Sequence, residues 1–199
     1  MYDKLIRSKR RTLGLEITQN AEIILRVPEH ARDSDIEKFL KKSARWIQKH
    51  KEKVLRQIRE TPKKEWKEGE MFLYLGSEYS LPREREGKKR LLAWYKKEAK
   101  KVLQERVKIY ACLDNVSFKK ICITSARRRW GSCGKNSLNF TWRLVMAPIE
   151  IIDYVTAHEV AHLTHKNHKK RFHAKVKKLY PNYKWAKVWL KQNGHLLNI

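Results

Sequence analysis

A pentad near the end of the chain, His158-Glu159-Val160-Ala161-His162, restricts the local fold more than any other part of the sequence. Residues four apart lie on one face of an α-helix, so a helix here would direct both imidazoles at one metal ion, with Glu159 beside them. This H-E-x-x-H spacing is typical of zinc hydrolases. Because such a pentad also arises by chance, its interpretation depends on the surrounding sequence.

The residues before the pentad predict strands followed by a helix. Residues 116–125 and 137–146 are β-prone, and the second run alternates apolar and polar side chains, as expected of a half-buried strand. Pro148 then predicts the start of a helix that reaches His158, since proline is preformed for the first helical position. The pentad is therefore expected on a helix that follows a sheet.

The first third of the chain predicts a scaffold. Two β-prone runs within residues 4–28, separated by residues 19–21, predict a hairpin. Apolar residues then recur at helical spacing from Asp33 or Ser34, either of which is a plausible N-cap. Residues 61–62, Thr-Pro, are expected to end that helix.

A strand, a turn and a second strand are predicted over residues 71–81, and a second amphipathic helix with a lysine-rich outer face over residues 92–110. The charged, glycine-containing stretch 82–90 between them is typical of a linker. We therefore expect two domains: an N-terminal subdomain of hairpin, helix and strand (1–85) and a catalytic domain (86–199).

Charge is the unusual part of the composition. The 199 residues include 47 Lys and Arg against 21 Asp and Glu, a formal net charge of +26. Such a charge would attract nucleic acid or anionic lipid. The alternative is a heavily charged surface that is only solvated by water. No run of 18 apolar residues or leader-like start is found, and three cysteines without a C-x-x-C pair do not predict a disulfide framework. The sequence favours a soluble, cytoplasmic protein without a membrane anchor.

A catalytic zinc ion needs a third protein ligand and an open fourth position for water. No Asp or Glu follows Glu159, so a ligand further along the chain must be a histidine: His165, His168, His173 or His195. His168 lies six residues after His162, the metzincin spacing, but His165 replaces the metzincin glycine and no methionine follows Met146 to form a Met-turn. Geometry favours His168, with His173 as the rival.

Glu159 is expected to remain off the metal. In this position a carboxylate accepts a proton from the zinc-bound water and later delivers it to the leaving amine. The alternative is an ordinary surface glutamate flanked by packed histidines.

Several further stretches resemble the YgjP-like metallopeptidases, relatives of the SprT/Spartan-type zincins. The resemblance covers most of the chain and rests on these motifs: Arg7-Ser8-Lys9-Arg10-Arg11, Arg129-Trp130-Gly131-Ser132-Cys133, Asn139-Phe140-Thr141-Trp142-Arg143-Leu144 followed by Pro148, Asp153-Tyr154-Val155, the pentad with Leu163, and Asn167-His168 with Phe172. It implies zinc bound by His158, His162 and His168, with Glu159 as the general base. Lys169 and His173 depart from the family, where Ser and Trp are usual.

The resemblance also implies an α+β fold. We expect a zincin-like minimal metallopeptidase core, composed of an antiparallel or mixed sheet, the active-site helix and C-terminal helices, with an N-terminal β-hairpin and helix. The strand that carries Asn139, Thr141 and Arg143 would lie along the cleft. An exposed edge there could bind an extended peptide by strand addition, although an ordinary solvent-facing surface is the alternative.

Some residues near the motifs allow more than one role. Cys133 could be a fourth zinc ligand, although a small, partly packed thiol is the simpler interpretation. Asp153 could orient a ligand histidine, although five residues is an awkward helical offset. Helical spacing favours core positions for Trp185 and Trp189.

The leading hypothesis is a metallopeptidase with one Zn²⁺ per chain that hydrolyses peptides or proteins. Two alternatives remain: a zinc hydrolase of nucleotides or other phosphate-containing substrates, and a nucleic-acid-binding module with a structural zinc. The ten lysine and arginine residues after Glu159 are compatible with acidic substrates or with a bound nucleic acid. A structural site would need Cys133 or His173 as a fourth ligand.

Overall fold

The computed structural model describes residues 2–18, 20–60, 64–135 and 137–199 and has the α+β architecture expected from the sequence. The chain forms two compact units, 1–62 and 63–199. No helix in the described part of the chain has the length and apolar composition needed to cross a bilayer.

The first unit contains a three-stranded sheet and one long helix. Strands β2 (Gly14–Ile17) and β3 (Ile23–Pro28) form the predicted antiparallel hairpin, and β1 (Lys4–Ser8), which was not predicted, pairs in parallel with the other edge of β3. Helix α1 (Asp33–Glu60) follows, and the Thr-Pro pair expected to end it lies outside the described residues. A single apolar cluster joins the sheet to the helix through these buried residues: Ile23, Leu25, Val27, Ile36, Leu40 and Ile47.

The second unit begins with the predicted hairpin of β4 (Met71–Tyr74) and β5 (Ser77–Ser80). Its turn contains Gly76 at φ 82°, and a Cβ at this glycine would lie 2.9 Å from the backbone of Pro148. The preceding amide, that of Leu75, donates a 2.9 Å hydrogen bond to the carbonyl of Val145. These contacts fix the hairpin against the segment that leads into the pentad helix, so the boundary expected near residue 86 falls inside this unit.

Helix α2 (Lys88–Leu113) confirms the second amphipathic helix. Its buried side chains recur every four residues and face the core: Leu91, Tyr95, Ala99, Leu103 and Val107. A short 3₁₀ turn, Arg83–Arg85, occupies the stretch interpreted as a linker. The helix therefore supplies one wall of the main core.

A three-stranded mixed sheet supplies the next layer. Strands β6 (Lys120–Thr124), β7 (Gly131–Cys133) and β8 (Ser137–Thr141) have the order β6-β8-β7, with β6 parallel and β7 antiparallel to β8. The strand predicted to continue to residue 146 ends at Thr141, and Trp142–Met146 forms a 3₁₀ helix in which all five residues are buried. Alternation misled the prediction because Arg143, which reads as solvent-facing, is buried with its guanidinium over the Trp142 ring.

Helix α3 (Ile149–Thr164) starts directly after Pro148, as predicted, and carries the pentad. It is buried on most sides, with both apolar and polar side chains covered. Helices α4 (Lys170–Leu179) and α5 (Tyr183–Asn193) and a 3₁₀ turn, Gly194–Leu197, complete the unit. Trp189 packs against the core as expected, whereas the prediction for Trp185 is wrong, because 51% of it is exposed.

Candidate metal centre

Three imidazoles converge where α3 ends. His158 and His162 lie one turn apart on α3, and His168 reaches them from the short connection between α3 and α4. The Nε2 atom of His168 lies 3.1 Å from Nε2 of His162 and 3.2 Å from Nε2 of His158. Among the described residues, these three histidines are the group able to share one metal ion.

The connection reverses direction without a left-handed residue. His165 has an extended backbone, with φ −125° and ψ 96°, and no described residue between α3 and α4 has a positive φ. The glycine of the metzincin pattern is therefore not needed here. The carbonyl of His165 accepts a 2.9 Å hydrogen bond from Nδ1–H of His162, which leaves the Nε2 lone pair of His162 facing the other two rings.

This geometry fits a bound cation. Two nitrogen ligands at 2.0–2.1 Å from a tetrahedral zinc ion are about 3.3 Å apart, close to the separations that His168 makes with its neighbours. Burial lowers the pKa of His158 to about 4, so this ring is neutral at pH 7 and its free nitrogen can bind a metal. Burial also lowers the pKa of His162. Converging lone pairs repel one another unless a positive ion lies between them.

Phe172, at the start of α4, forms the floor of the centre. It is almost fully buried, and its ring centroid lies 4.3 Å from that of His162, 4.7 Å from that of His168 and 4.8 Å from that of His158. It stacks on the first of these and meets the other two edge to face. A single apolar ring therefore restricts the orientation of all three imidazoles.

The other candidate ligands lie outside this group. The exposed ring of His173 is 6.3 Å from that of His168, and Cys133 Sγ lies 3.6 Å from the Lys166 ammonium. The ring of His165 contacts the hydroxyl of its neighbour Thr164. His195 lies in the final 3₁₀ turn.

Glu159 lies next to the histidines and is 6% exposed. One of its carboxylate oxygens, Oε2, is buried without a hydrogen-bond partner among the described residues. Burial raises the pKa of Glu159 to about 7, opposed by the positive charge of Arg129. A buried, unpartnered carboxylate is costly in a structural position, and it is suited to exchange a proton with a bound molecule.

Gly131 was not predicted as a site residue. A Cβ at this position would lie 2.6 Å from Cγ and 2.7 Å from Oε1 of Glu159, so only glycine lets β7 pass this close to α3. An isolated glycine within a strand is a recognised sign of such close approach. That signal was present in the Trp-Gly-Ser-Cys motif.

The strand that carries Asn139 and Thr141 has no free edge. β8 is paired on both sides, and Thr141 and Arg143 are buried. The Asn139 amide donates to the carbonyl of Ser132 on β7. The edge strand nearest Glu159 is β7, which pairs only with β8 among the described residues.

Asp153 anchors α3 rather than a ligand histidine. Its two carboxylate oxygens accept two hydrogen bonds from the guanidinium of Arg106 on α2. The pair is largely buried and joins the two helices one turn before the metal centre. The Asp153 carboxylate is thus engaged by Arg106, in place of the histidine-orienting role that the helical offset had already disfavoured.

A cleft of about 860 Å³ opens beside the centre, on the side of α4 and α5. His158 and His168 contribute to its lining. Its remaining lining combines aromatic, aliphatic and basic side chains: Tyr154, Phe172, His173, Val176, Tyr183, Lys184, Lys187 and Val188. The cleft is wide enough for substrate side chains, since pockets that bury ligands span roughly 300–1,000 Å³.

The family comparison identifies a metallopeptidase domain. A family model for the YgjP-like metallopeptidase domain matches residues 11–88 and 81–193. The chain also resembles the crystal structure of the metallopeptidase zymogen of Pyrococcus abyssi abylysin, with 15% identity and a TM-score of 0.41 over 45% of this chain and 93% of that one. No curated protein matches the chain significantly.

Proposed function

This chain belongs to the YgjP-like metallopeptidase family, and we propose that it binds one Zn²⁺ through His158, His162 and His168 and hydrolyses peptide bonds with Glu159 as the general base. One observation carries the proposal: three Nε2 lone pairs converge beside a buried carboxylate that has an unpartnered oxygen. Three histidines with an open fourth position are typical of catalytic zinc, whereas Mg²⁺ and Ca²⁺ prefer oxygen ligands.

Zinc, when bound, supplies a Lewis acid that polarises the substrate carbonyl and lowers the pKa of water. Glu159 accepts the proton of the attacking water on its carboxylate and returns it to the leaving nitrogen. Its burial supports this role, because a carboxylate whose pKa lies near 7 both accepts and releases a proton readily. Gly131 keeps the space in front of that carboxylate free of a side chain.

The position of β7 supports a peptide substrate. β7 is an edge strand in the described structure, and Gly131 brings it into contact with Glu159. An extended peptide that pairs with such an edge would present its backbone carbonyls along the metal centre. We therefore propose that the peptide pairs with β7, in place of the β8 edge expected from the sequence.

A structural zinc is less well supported. A closed site needs four protein ligands. Among the described residues the convergent group has three members, and neither Cys133 nor His173 belongs to it. The open fourth position is what a hydrolase requires.

The general base is tested with Glu159→Gln, which preserves size and removes the basic carboxylate. We expect the variant to bind one zinc per chain, measured by metal analysis, and to lose peptide hydrolysis by about 10²–10⁴-fold. A variant as active as the parent would show that Glu159 is not the base. Nucleotides assayed in parallel test the phosphate-hydrolase alternative.

The ligand set is tested with a matched pair of histidine changes. His168→Ala should lose zinc, whereas His173→Ala, five residues along the chain and outside the convergent group, should retain it. The reverse result would make His173 the third ligand.

A further inference from the structure

We propose that the cleft beside His158 and His168 selects peptides with an acidic side chain next to the scissile bond, and that Lys184 and Lys187 bind its carboxylate. This inference rests on the proposed peptidase function and adds a substrate class to it. It depends on the position of the two lysines in the cleft, on the side chains around them and on their having no acidic partner among the described residues.

The two lysines belong to the same cleft as the metal ligands. They are three residues apart on α5, and residues three apart are neighbours on a helix surface. A substrate carboxylate that enters the cleft can therefore meet both ammonium groups. Because His158 and His168 line the same cleft, that carboxylate would belong to a residue close to the bond being cleaved.

The two cleft lysines have no acidic partner in the described part of the chain. Lys184 and Lys187 are exposed, form no ion pair with a described residue, and belong to a 40-residue tail, 160–199, without any Asp or Glu. Lys175, in contrast, is 2.7 Å from Asp114 and does not line the cleft. The two cleft lysines are therefore available to an anion from outside.

A second group of basic side chains lies near Glu159. Arg127, Arg128 and Arg129 are exposed in the loop that precedes β7, and the charge of Arg129 acts on Glu159. A peptide that pairs with β7 and places a side chain in the cleft would meet both groups of cations. Acidic peptides would be attracted and basic peptides repelled.

The walls of the cleft favour a peptide side chain over a nucleic-acid backbone. The cleft offers apolar surface to the methylene groups of a substrate glutamate, and its lysines can pair with the carboxylate of that side chain. The apolar surface comes from Tyr154, Val176, Tyr183 and Val188. A phosphodiester backbone is bound by open basic surface and does not need an apolar cleft. Nucleic acid therefore becomes an alternative outcome of the test.

The test compares peptides that differ only by Glu, Gln or Lys at the two positions on either side of the scissile bond. For the parent enzyme we expect kcat/KM to be about 10-fold higher for Glu than for Gln at one of these positions, since two exposed charge pairs contribute a few-fold each. Combined Lys184→Gln and Lys187→Gln in the enzyme should bring the ratio close to one. Combined Lys184→Glu and Lys187→Glu should invert it. Lys178→Gln, on the outer face of α4 and outside the cleft, should keep the ratio.

Binding provides a second readout that does not need turnover. The zinc-loaded Glu159→Gln protein should bind a fluorescent acidic peptide, measured by anisotropy, with an affinity that falls in the cleft variants and in 0.5 M salt. If this protein binds the acidic peptide in that way but the parent hydrolyses no peptide, the proposed function is excluded and the charge-selective cleft is kept. Hydrolysis with equal kcat/KM for Glu and Gln would remove the cleft inference alone. Displacement of the peptide by single-stranded DNA, with DNA binding lost in the same lysine variants, would replace the acidic peptide with nucleic acid.

Discussion

Helix α3 and the two helices that follow it, α4 and α5, form one centre in different ways. α3 is covered on most of its surface and holds two histidines and the glutamate within a single turn and a half of rigid backbone. α4 buries only Phe172 and Val176, and α5 buries only Ala186. The buried helix thus fixes the two histidines and the glutamate, whereas the outer helices add the Phe172 floor and an exposed basic surface. The connection between α3 and α4 supplies the third imidazole.

This difference makes a ranking of effects testable. Changes that displace α3 should affect stability or turnover most. Changes on α4 should affect zinc affinity next. Changes on the exposed basic surface should affect stability little unless the side chain has a structural partner.

Arg106→Gln should have the largest effect. It removes the guanidinium that pairs with Asp153, which is 8% exposed, and leaves a nearly buried carboxylate on α3. Breaking a buried pair in this way costs about 3 kcal/mol, which urea denaturation of the zinc-free protein would measure. Replacing both residues with leucine is the matched control and should cost less, because no charge is left behind. Equal losses for the single and double variants would mean that the ion pair does not hold α3 in place.

Gly131→Ala should reduce turnover by about 100-fold, since displacement of a catalytic group by roughly 1 Å has effects of that size. The added methyl would lie 2.6 Å from the Glu159 side chain and force it to move. Zinc content should stay at one per chain, because the histidines do not contact this position. Gly134→Ala is the control on the same segment, since its Cβ would meet only the mobile hydroxyl of Ser137 at close range. Similar losses for both variants would point to general disruption of β7.

Phe172→Leu should weaken zinc binding by about 10-fold, the lower end of the effects seen when groups behind metal ligands are altered. The smaller side chain no longer stacks on His162 or restricts the other two rings. Competition with a chromogenic chelator would measure the affinity. Val176→Ala controls for the loss of packing. Val176 lies one turn further along α4 in the same small apolar cluster, and it has no ring to stack on the histidines. Unchanged zinc affinity in the leucine variant would show that the floor does not preorganise the ligands.

The sequence predicted the parts of this centre that depend on local periodicity. The start of α3 after Pro148, the pentad on that helix, the hairpins of both units and the YgjP-like resemblance are confirmed. The single Zn²⁺ and its three ligands stay predictions. Periodicity identified α3 because a helix that packs inside a core still needs a proline or a cap at its start and apolar residues along its length.

Contacts between distant segments explain what the sequence left out. The parallel pairing of β1 with β3 has no turn signal, and the 3₁₀ helix at Trp142–Met146 keeps the alternation of a strand. The position of Gly131 against Glu159 joins residues 28 apart in sequence, and the exposure of Trp185 depends on which face of α5 meets the core. Gly131 alone carries a local sign, a glycine within a strand, and even there the packing partner is not encoded locally.

The basic residues after α3 provide the finest test of the comparison, since they have the same chemistry and different surroundings. Lys175→Gln should cost about 1–3 kcal/mol of stability, because it removes the ammonium that pairs with Asp114, whose side chain is 4% exposed. Lys178→Gln, three residues further along the same helix, should cost close to nothing, because an exposed lysine without a partner is already fully solvated. Urea denaturation of the two variants beside the parent would measure both. If Lys178 mattered as much as Lys175, the basic surface would act through its summed field on the fold. If only Lys175 matters, the remaining positive charge contributes little to stability and is free to act on what the enzyme binds.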